Sequence, residues 1–97
     1  METQFGIRVK ELREEKGLLQ RQVAALLEID TPLYSKIERG ERIAKKEVAV
    51  NLAYILKVDE KELLTLWLAD QVYDVVKDEK QAGDALKKVS KKLKNRS

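Results

Sequence analysis

Between Gln20 and Gly40 the chain reads Gln-Arg-Gln-Val-Ala-Ala-Leu-Leu-Glu-Ile-Asp-Thr-Pro-Leu-Tyr-Ser-Lys-Ile-Glu-Arg-Gly, a pattern that leaves few ways to fold. Val23, Ala24 and Leu27 recur at helical spacing, and Glu28-Ile29-Asp30 breaks the run. Tyr34 and Ile37 then define a second amphipathic stretch that stops at Gly40. Two short helices joined by a tight turn follow from this pattern. Helices crossing steeply over a three- or four-residue turn need a close contact with little side-chain bulk, and small Ala24 meets that need. A larger residue there would wedge the pair apart.

Other residues extend the pattern in both directions: Phe5-Gly6, Val9, Leu12-Arg13, Gly17, Gln20, Ala24, Ile37-Glu38-Arg39-Gly40 and Leu52-Ala53. Each is weak alone. In this order and spacing they resemble the phage repressor/Cro type of helix-turn-helix, the xenobiotic-response-element family of bacterial regulators, from about Phe5 to Leu66. The resemblance implies an all-α fold: a compact five-helix bundle whose third helix enters the DNA major groove while the second lies across the backbone. It further implies a sequence-specific DNA-binding transcriptional regulator, with double-stranded DNA as partner and a homodimer on a palindromic operator.

The same resemblance distributes roles within the motif. Gln20, first in the second helix, would place its amide and the free N–H groups of that helix end on a phosphate, and Arg21 beside it joins the DNA-binding set. Thr31 and Pro32 occupy positions where related proteins place base-reading side chains, with Leu33, Ser35 and Lys36 expected on the same exposed face. Lys36 could donate to guanine O6 or N7, Thr31 to a base or a phosphate, and Leu33 could pack on a thymine methyl. Arg39 and Arg42 would clamp the backbone, with Lys45 and Lys46 close behind. No Arg, Asn or Gln lies between Thr31 and Lys36, so bidentate base recognition is scarce. Sequence choice would then lean on DNA shape and half-site spacing. Arg13 and Glu38 are expected to form a semi-buried ion pair, and Tyr34, where the family has an aliphatic core residue, to point inward with its hydroxyl at an edge.

Some positions depart from that family pattern. Leu19 stands where a hydroxyl N-cap is usual, and Glu28 where glycine commonly turns the chain. Each would cost about 1 kcal/mol, through an unsatisfied helix end and a left-handed backbone respectively. Leu26 and Ile43 are apolar where polar residues are usual.

Along the chain, a first helix is expected over about Thr3 to Lys16, with Thr3 as N-cap, a stripe of Phe5, Val9 and Leu12, and Gly17 closing it in the left-handed region. A second helix starts near Gln20 and a third near Thr31 or Pro32, capped by either Asp30 or Thr31. Pro32 suits a first turn because its missing N–H costs nothing there. A fourth spans about Lys45 to Leu56, burying Val48, Ala49, Leu52 and Ile55. Asp59, or Val58-Asp59, opens a fifth.

From there Leu63, Leu64, Leu66, Trp67 and Leu68 carry more apolar bulk than one helix face can hide against a small bundle. Leu68, Val72, Val75, Glu79, Ala82, Leu86, Val89 and Leu93 alternate spacings of four and three, a heptad seam with one polar position. Two continuations are open: an extended C-terminal helical arm, or a fifth helix to about Lys77 followed by a separate amphipathic helix from Gln81 to Lys94. Either way the region from Leu63 to Leu93 is the expected dimer contact, giving a DNA-binding domain over 1–68 and a helical extension over 69–97. Lys87, Lys88, Lys91, Lys92, Lys94 and Arg96 could be the solvated face of the last helix, a phosphate clamp or a tail; their placement opposite Leu86, Val89 and Leu93 favours the first.

Composition narrows the function classes. Ninety-seven residues make one small domain, near the size where core burial barely offsets chain entropy, so help from dimerisation is expected. The chain has no cysteine and no histidine, so it has no disulfides, no thiolate chemistry and only carboxylates as conceivable metal ligands. No cofactor or enzymatic activity is expected. The absence of a long apolar run and of a signal-peptide pattern makes a cytoplasmic protein, off the membrane, the default. The net charge of +3 is unevenly spread: residues 1–38 sum to −1, 39–46 to +3, 47–77 to −3 and 78–97 to +4. The basic cluster of Arg39, Arg42, Lys45 and Lys46 directly follows the third helix, where counterion release on phosphate contact would supply affinity. The rival class is a protein-interaction adaptor or antitoxin-like module that keeps the fold and uses Leu26, Leu33, Ile43 and the C-terminal region as contact surface.

Overall fold

A computed structural model describes residues 2–96. Among these the chain forms six helices and no strand: α1 (Gln4–Glu15), α2 (Gln20–Leu27), α3 (Thr31–Glu38), α4 (Lys46–Leu56), α5 (Glu60–Val76) and α6 (Ala82–Lys94). The local signals explain most boundaries. The Thr3 hydroxyl accepts from the Gly6 N–H at 2.9 Å and starts α1, and Gly17 turns the chain out of it at φ 67°. Of the two candidate caps for α3, Asp30 is the one used: its Oδ1 accepts from the Leu33 N–H at 2.7 Å, with Pro32 in the first turn. Asp59 caps α5 in the same way through the Lys61 N–H at 2.9 Å.

Leu19 provides no side-chain cap for α2, but the end is partly rescued from inside the helix. Gln22 Oε1 accepts from the Leu19 N–H at 2.8 Å, one half of a capping box. Glu28 does take the left-handed conformation, at φ 59°, and so carries the strain of a Cβ in that region.

One core binds α1 to α5. Phe5, Val9 and Leu12 of α1 meet Val23 and Ala24 of α2, Tyr34 and Ile37 of α3, Ala49, Leu52, Ala53 and Leu56 of α4, and Leu63 of α5. Leu64, Leu66 and Trp67 pack half-buried on its edge. Gly6 sits where α1 passes the end of α3; a Cβ there would lie 2.3 Å from the Glu38 carbonyl oxygen, so only glycine permits the approach. Long-range hydrogen bonds made by Asp70 and Trp67 help fasten α5 to the bundle. The Asp70 carboxylate accepts from the backbone N–H groups of Gln4 (3.1 Å) and Phe5 (2.9 Å) at the free end of α1, and Trp67 Nε1 donates to the Ala44 carbonyl at 2.7 Å.

The heptad seam does not form one rod: of the two continuations it is the separate last helix that forms, so the expected count of five helices is corrected to six, with a break before the last. α5 ends at Val76, the chain turns through Lys77 to Gln81 with Glu79 in the turn, and α6 starts at Ala82. Asp78 and Glu79 explain the stop. Carboxylates at a helix C-terminus face its negative end, and aspartate is a poor helix former. No helix among the described residues is long and apolar enough to cross a membrane.

Candidate nucleic-acid interface

The frame behind α2 and α3 is held by a buried polar hub at Glu38. Arg13 reaches it with two prongs, Nε to Oε2 at 2.6 Å and Nη2 to Oε1 at 3.1 Å, and its Nη1 donates to the Leu18 carbonyl at 2.8 Å. The Tyr34 hydroxyl donates to Oε2 at 2.5 Å and the Gln20 amide to Oε1 at 3.0 Å. Four bonds converge on one carboxylate whose side chain is 1% exposed, against 9% for Arg13. Burial alone would push the Glu38 carboxyl up, but the bonds from Arg13, Tyr34 and Gln20 together outweigh it and hold it below the ordinary glutamate range. Burial, reinforced by the bond to Glu38, raises the Tyr34 phenol. The expected Arg13–Glu38 pair is present and drier than expected. Tyr34 is inward as expected, but its hydroxyl ends on Glu38 in the interior, not at an edge.

This hub changes what Gln20 presents. Its side chain is half-buried and its amide nitrogen is turned onto Glu38, so the group expected to face a phosphate is already engaged in locking α2 to α3. Arg21 next to it is exposed. On α3, Thr31 is half-buried, while Pro32 and Lys36 are exposed. Leu33, one turn before Lys36, is less exposed than it. It lies four residues before Ile37 and packs half-buried against the core, which leaves less of it for a thymine methyl. Ser35 is half-buried, and its hydroxyl receives a hydrogen bond from Arg39 Nη1.

Arg39 is exposed but paired: Nε meets Glu41 Oε2 at 2.7 Å and Nη2 meets Oε1 at 3.4 Å. The hydrogen bond to Glu41 raises the Arg39 guanidinium and lowers the Glu41 carboxyl. Arg42, Lys45 and Lys46 are all exposed in the segment that leaves α3 and enters α4. Lys45 is the N-cap of α4 and Lys46 its first residue, with no side-chain cap between them. Two lysines on the positive end of a helix oppose its dipole, a local cost that concentrates positive potential beside α3. The structure therefore brings Pro32, Lys36, Arg39, Arg42, Lys45 and Lys46 onto solvent around α3 and its exit, and turns Gln20 and part of Leu33 inward.

Two functional features had no clear signal in the residues themselves. Glu41, two positions after Arg39, competes for that guanidinium, and an acidic neighbour in a basic run was the available hint. Asp70 fixes the N-terminus of α1 from 65 or more residues away, which no local pattern announces. Among the described residues no group of histidine, cysteine or carboxylate side chains is arranged to hold a metal ion.

A protein-family comparison matches residues 4–66 to a model described as a helix-turn-helix domain. No curated protein and no solved structure gave a match. The matched span runs from the first residue of α1 into α5 and contains the α2–turn–α3 unit, the Glu38 hub and the basic exit segment. The chain belongs to the helix-turn-helix domain family.

Proposed function

We propose that this protein is a sequence-specific DNA-binding transcriptional regulator of the repressor/Cro kind, acting as a homodimer on a palindromic operator. Residues 1–68 carry DNA contact and 69–97 carry dimerisation and a basic tail. The observation that carries the reading is the joining of a rigid α2–turn–α3 unit to an exposed basic run from Lys36 to Lys46. The hub at Glu38 fixes the angle of α3, and Arg42, Lys45 and Lys46 are exposed at its exit.

In this reading α3 enters the major groove with Thr31, Pro32 and Lys36 leading. Lys36 reads a base edge, and Thr31 serves a base or a phosphate. Arg21, Arg39, Arg42, Lys45 and Lys46 meet the backbone, Arg39 by exchanging Glu41 for a phosphate. Ser35 supports Arg39, and Gln20 acts mainly by holding the frame while the free N–H groups at the start of α2 face a phosphate. A gel shift against genomic fragments, including the region upstream of the protein's own coding sequence, tests this. Sharp bands on a few fragments, persisting in competitor DNA, are the expected result.

The adaptor reading has one observation in its favour: Leu26 is 63% and Ile43 59% exposed, apolar groups flanking a reading face poor in donors. Weak binding to every fragment alike would favour it.

A further inference from the structure

The stretch that carries Arg42 and Lys45 has little of its own to hold it. Residues 42–45 have no regular secondary structure, and both basic side chains are exposed. Among the described residues the one hydrogen bond made by residues 42–44 is the one that the Ala44 carbonyl accepts from Trp67 Nε1, at 2.7 Å. The Ala44 methyl group is buried in the core. Ala44 is thus the single anchor of the stretch, with Arg42 two residues before it and Lys45 one residue after. A backbone without such a tie keeps its conformational freedom and must surrender it on binding.

The donor is itself well seated. The Trp67 ring packs half-buried against the core, where an indole N–H needs a partner. Asp70, less than one turn further along α5, is fixed on the backbone N–H groups of Gln4 and Phe5. Across a cleft, Trp67, Asp70 and Asp74 of α5 face Arg42, Ile43 and Ala44. α5 therefore presents a rigid donor to the one carbonyl that lies between the two exposed cations.

We propose that Trp67 is a positioning residue for DNA binding: by holding the Ala44 carbonyl from α5, its indole N–H sets where Arg42 and Lys45 meet the phosphate backbone. The proposal rests on the DNA-binding reading above and adds to it a residue that acts through others. A rigid element that places a loop's contact groups spares the complex the cost of ordering them.

The test measures anisotropy of a labelled fragment retained in the gel shift, and of random DNA. Trp67→Phe keeps an aromatic ring and removes the N–H. It should weaken binding roughly three- to tenfold, alike on both DNAs because phosphate contacts carry no sequence choice, with the far-UV spectrum unchanged. In a chain that also carries Arg42→Ala and Lys45→Ala, Trp67→Phe should change affinity by less than about twofold, since nothing is left to position. Replacing only the indole nitrogen of Trp67 by sulfur keeps the whole ring and should reproduce the loss, so it decides the matter if Trp67→Phe fails to fold.

Unchanged affinity in the folded sulfur variant would overturn the proposal. So would an equal loss with and without Arg42 and Lys45, which is what a merely structural bond would give. Either result leaves the DNA-binding reading standing. An unaltered chain that binds no fragment removes both.

Discussion

Arg13→Met removes the cation from the driest polar cluster in the protein while roughly keeping the length of the side chain. The substitution deletes two bonds to Glu38 and one to the Leu18 carbonyl, and leaves a carboxylate 1% exposed with only Tyr34 and Gln20 to satisfy it. Stranding one member of a buried pair costs about 3–5 kcal/mol. For a domain of this size each kcal/mol moves the midpoint by about 4–8 °C, so a fall of roughly 12 °C or more is expected, a large share of a total stability of about 5–15 kcal/mol. Urea unfolding followed by Trp67 fluorescence and by far-UV circular dichroism measures it. A double substitution of Arg13→Met with Glu38→Leu should be less destabilised than the sum of the two singles, because the orphaned charge is gone. A loss below about 1 kcal/mol for Arg13→Met, with additive singles, would mean that the pair behaves like an exposed one and that Glu38 does not organise the frame.

The same hub sets a pH response. The Glu38 carboxyl is lowered in the folded chain, so its contribution is fully present above the ordinary glutamate range and is lost as pH falls through the depressed value. The Tyr34 phenol is raised, so its contribution is present below its ordinary range near pH 10 and is lost at higher pH. Glu38→Gln should flatten the acid limb of a stability profile, and an unchanged limb would count against the assignment. Gly6→Ala places a methyl against the Glu38 carbonyl and should cost about 1–3 kcal/mol in urea unfolding; a neutral result would show that α1 and α3 can part cheaply. Leu19→Thr supplies the missing N-cap and should raise stability by about 1 kcal/mol, less if Gln22 already satisfies that end. Lys36→Ala should cost about 1–3 kcal/mol on the true operator and much less on random DNA, measured by anisotropy; equal losses on both would make it a phosphate contact.

Features set by neighbours in sequence were legible before the structure. Asp30 and Pro32 mark the start of α3, Gly17 the end of α1, and Ala24 the close crossing, because each answers a demand imposed within one turn of backbone. Arg13 and Glu38 were legible only through the resemblance, since nothing in their spacing requires them to meet. What stayed hidden depended on choices between partners. Gln20 could face out to a phosphate or in to Glu38, and the unfilled lone pair of a dry carboxylate decides for the latter. Leu33 could stand in solvent or lie on the core, and the apolar surface of the core draws part of it in. Asp70 at the end of α1 is a contact across most of the chain, and the break at Lys77 to Gln81 was one of two continuations the heptad spacing allowed. In each case a tertiary contact or a local charge overrode the periodicity.

The claim that the basic run from Lys36 to Lys46 is a DNA surface is tested most directly by the salt dependence of binding to a labelled fragment retained in the gel shift, for the unaltered chain and for a variant with Arg42, Lys45 and Lys46 all changed to Ala. The expected result is a linear fall of log K with log salt, and a slope shallower by about one for each basic side chain removed, with far-UV spectra unchanged. Binding whose salt slope is the same in both proteins would contradict it.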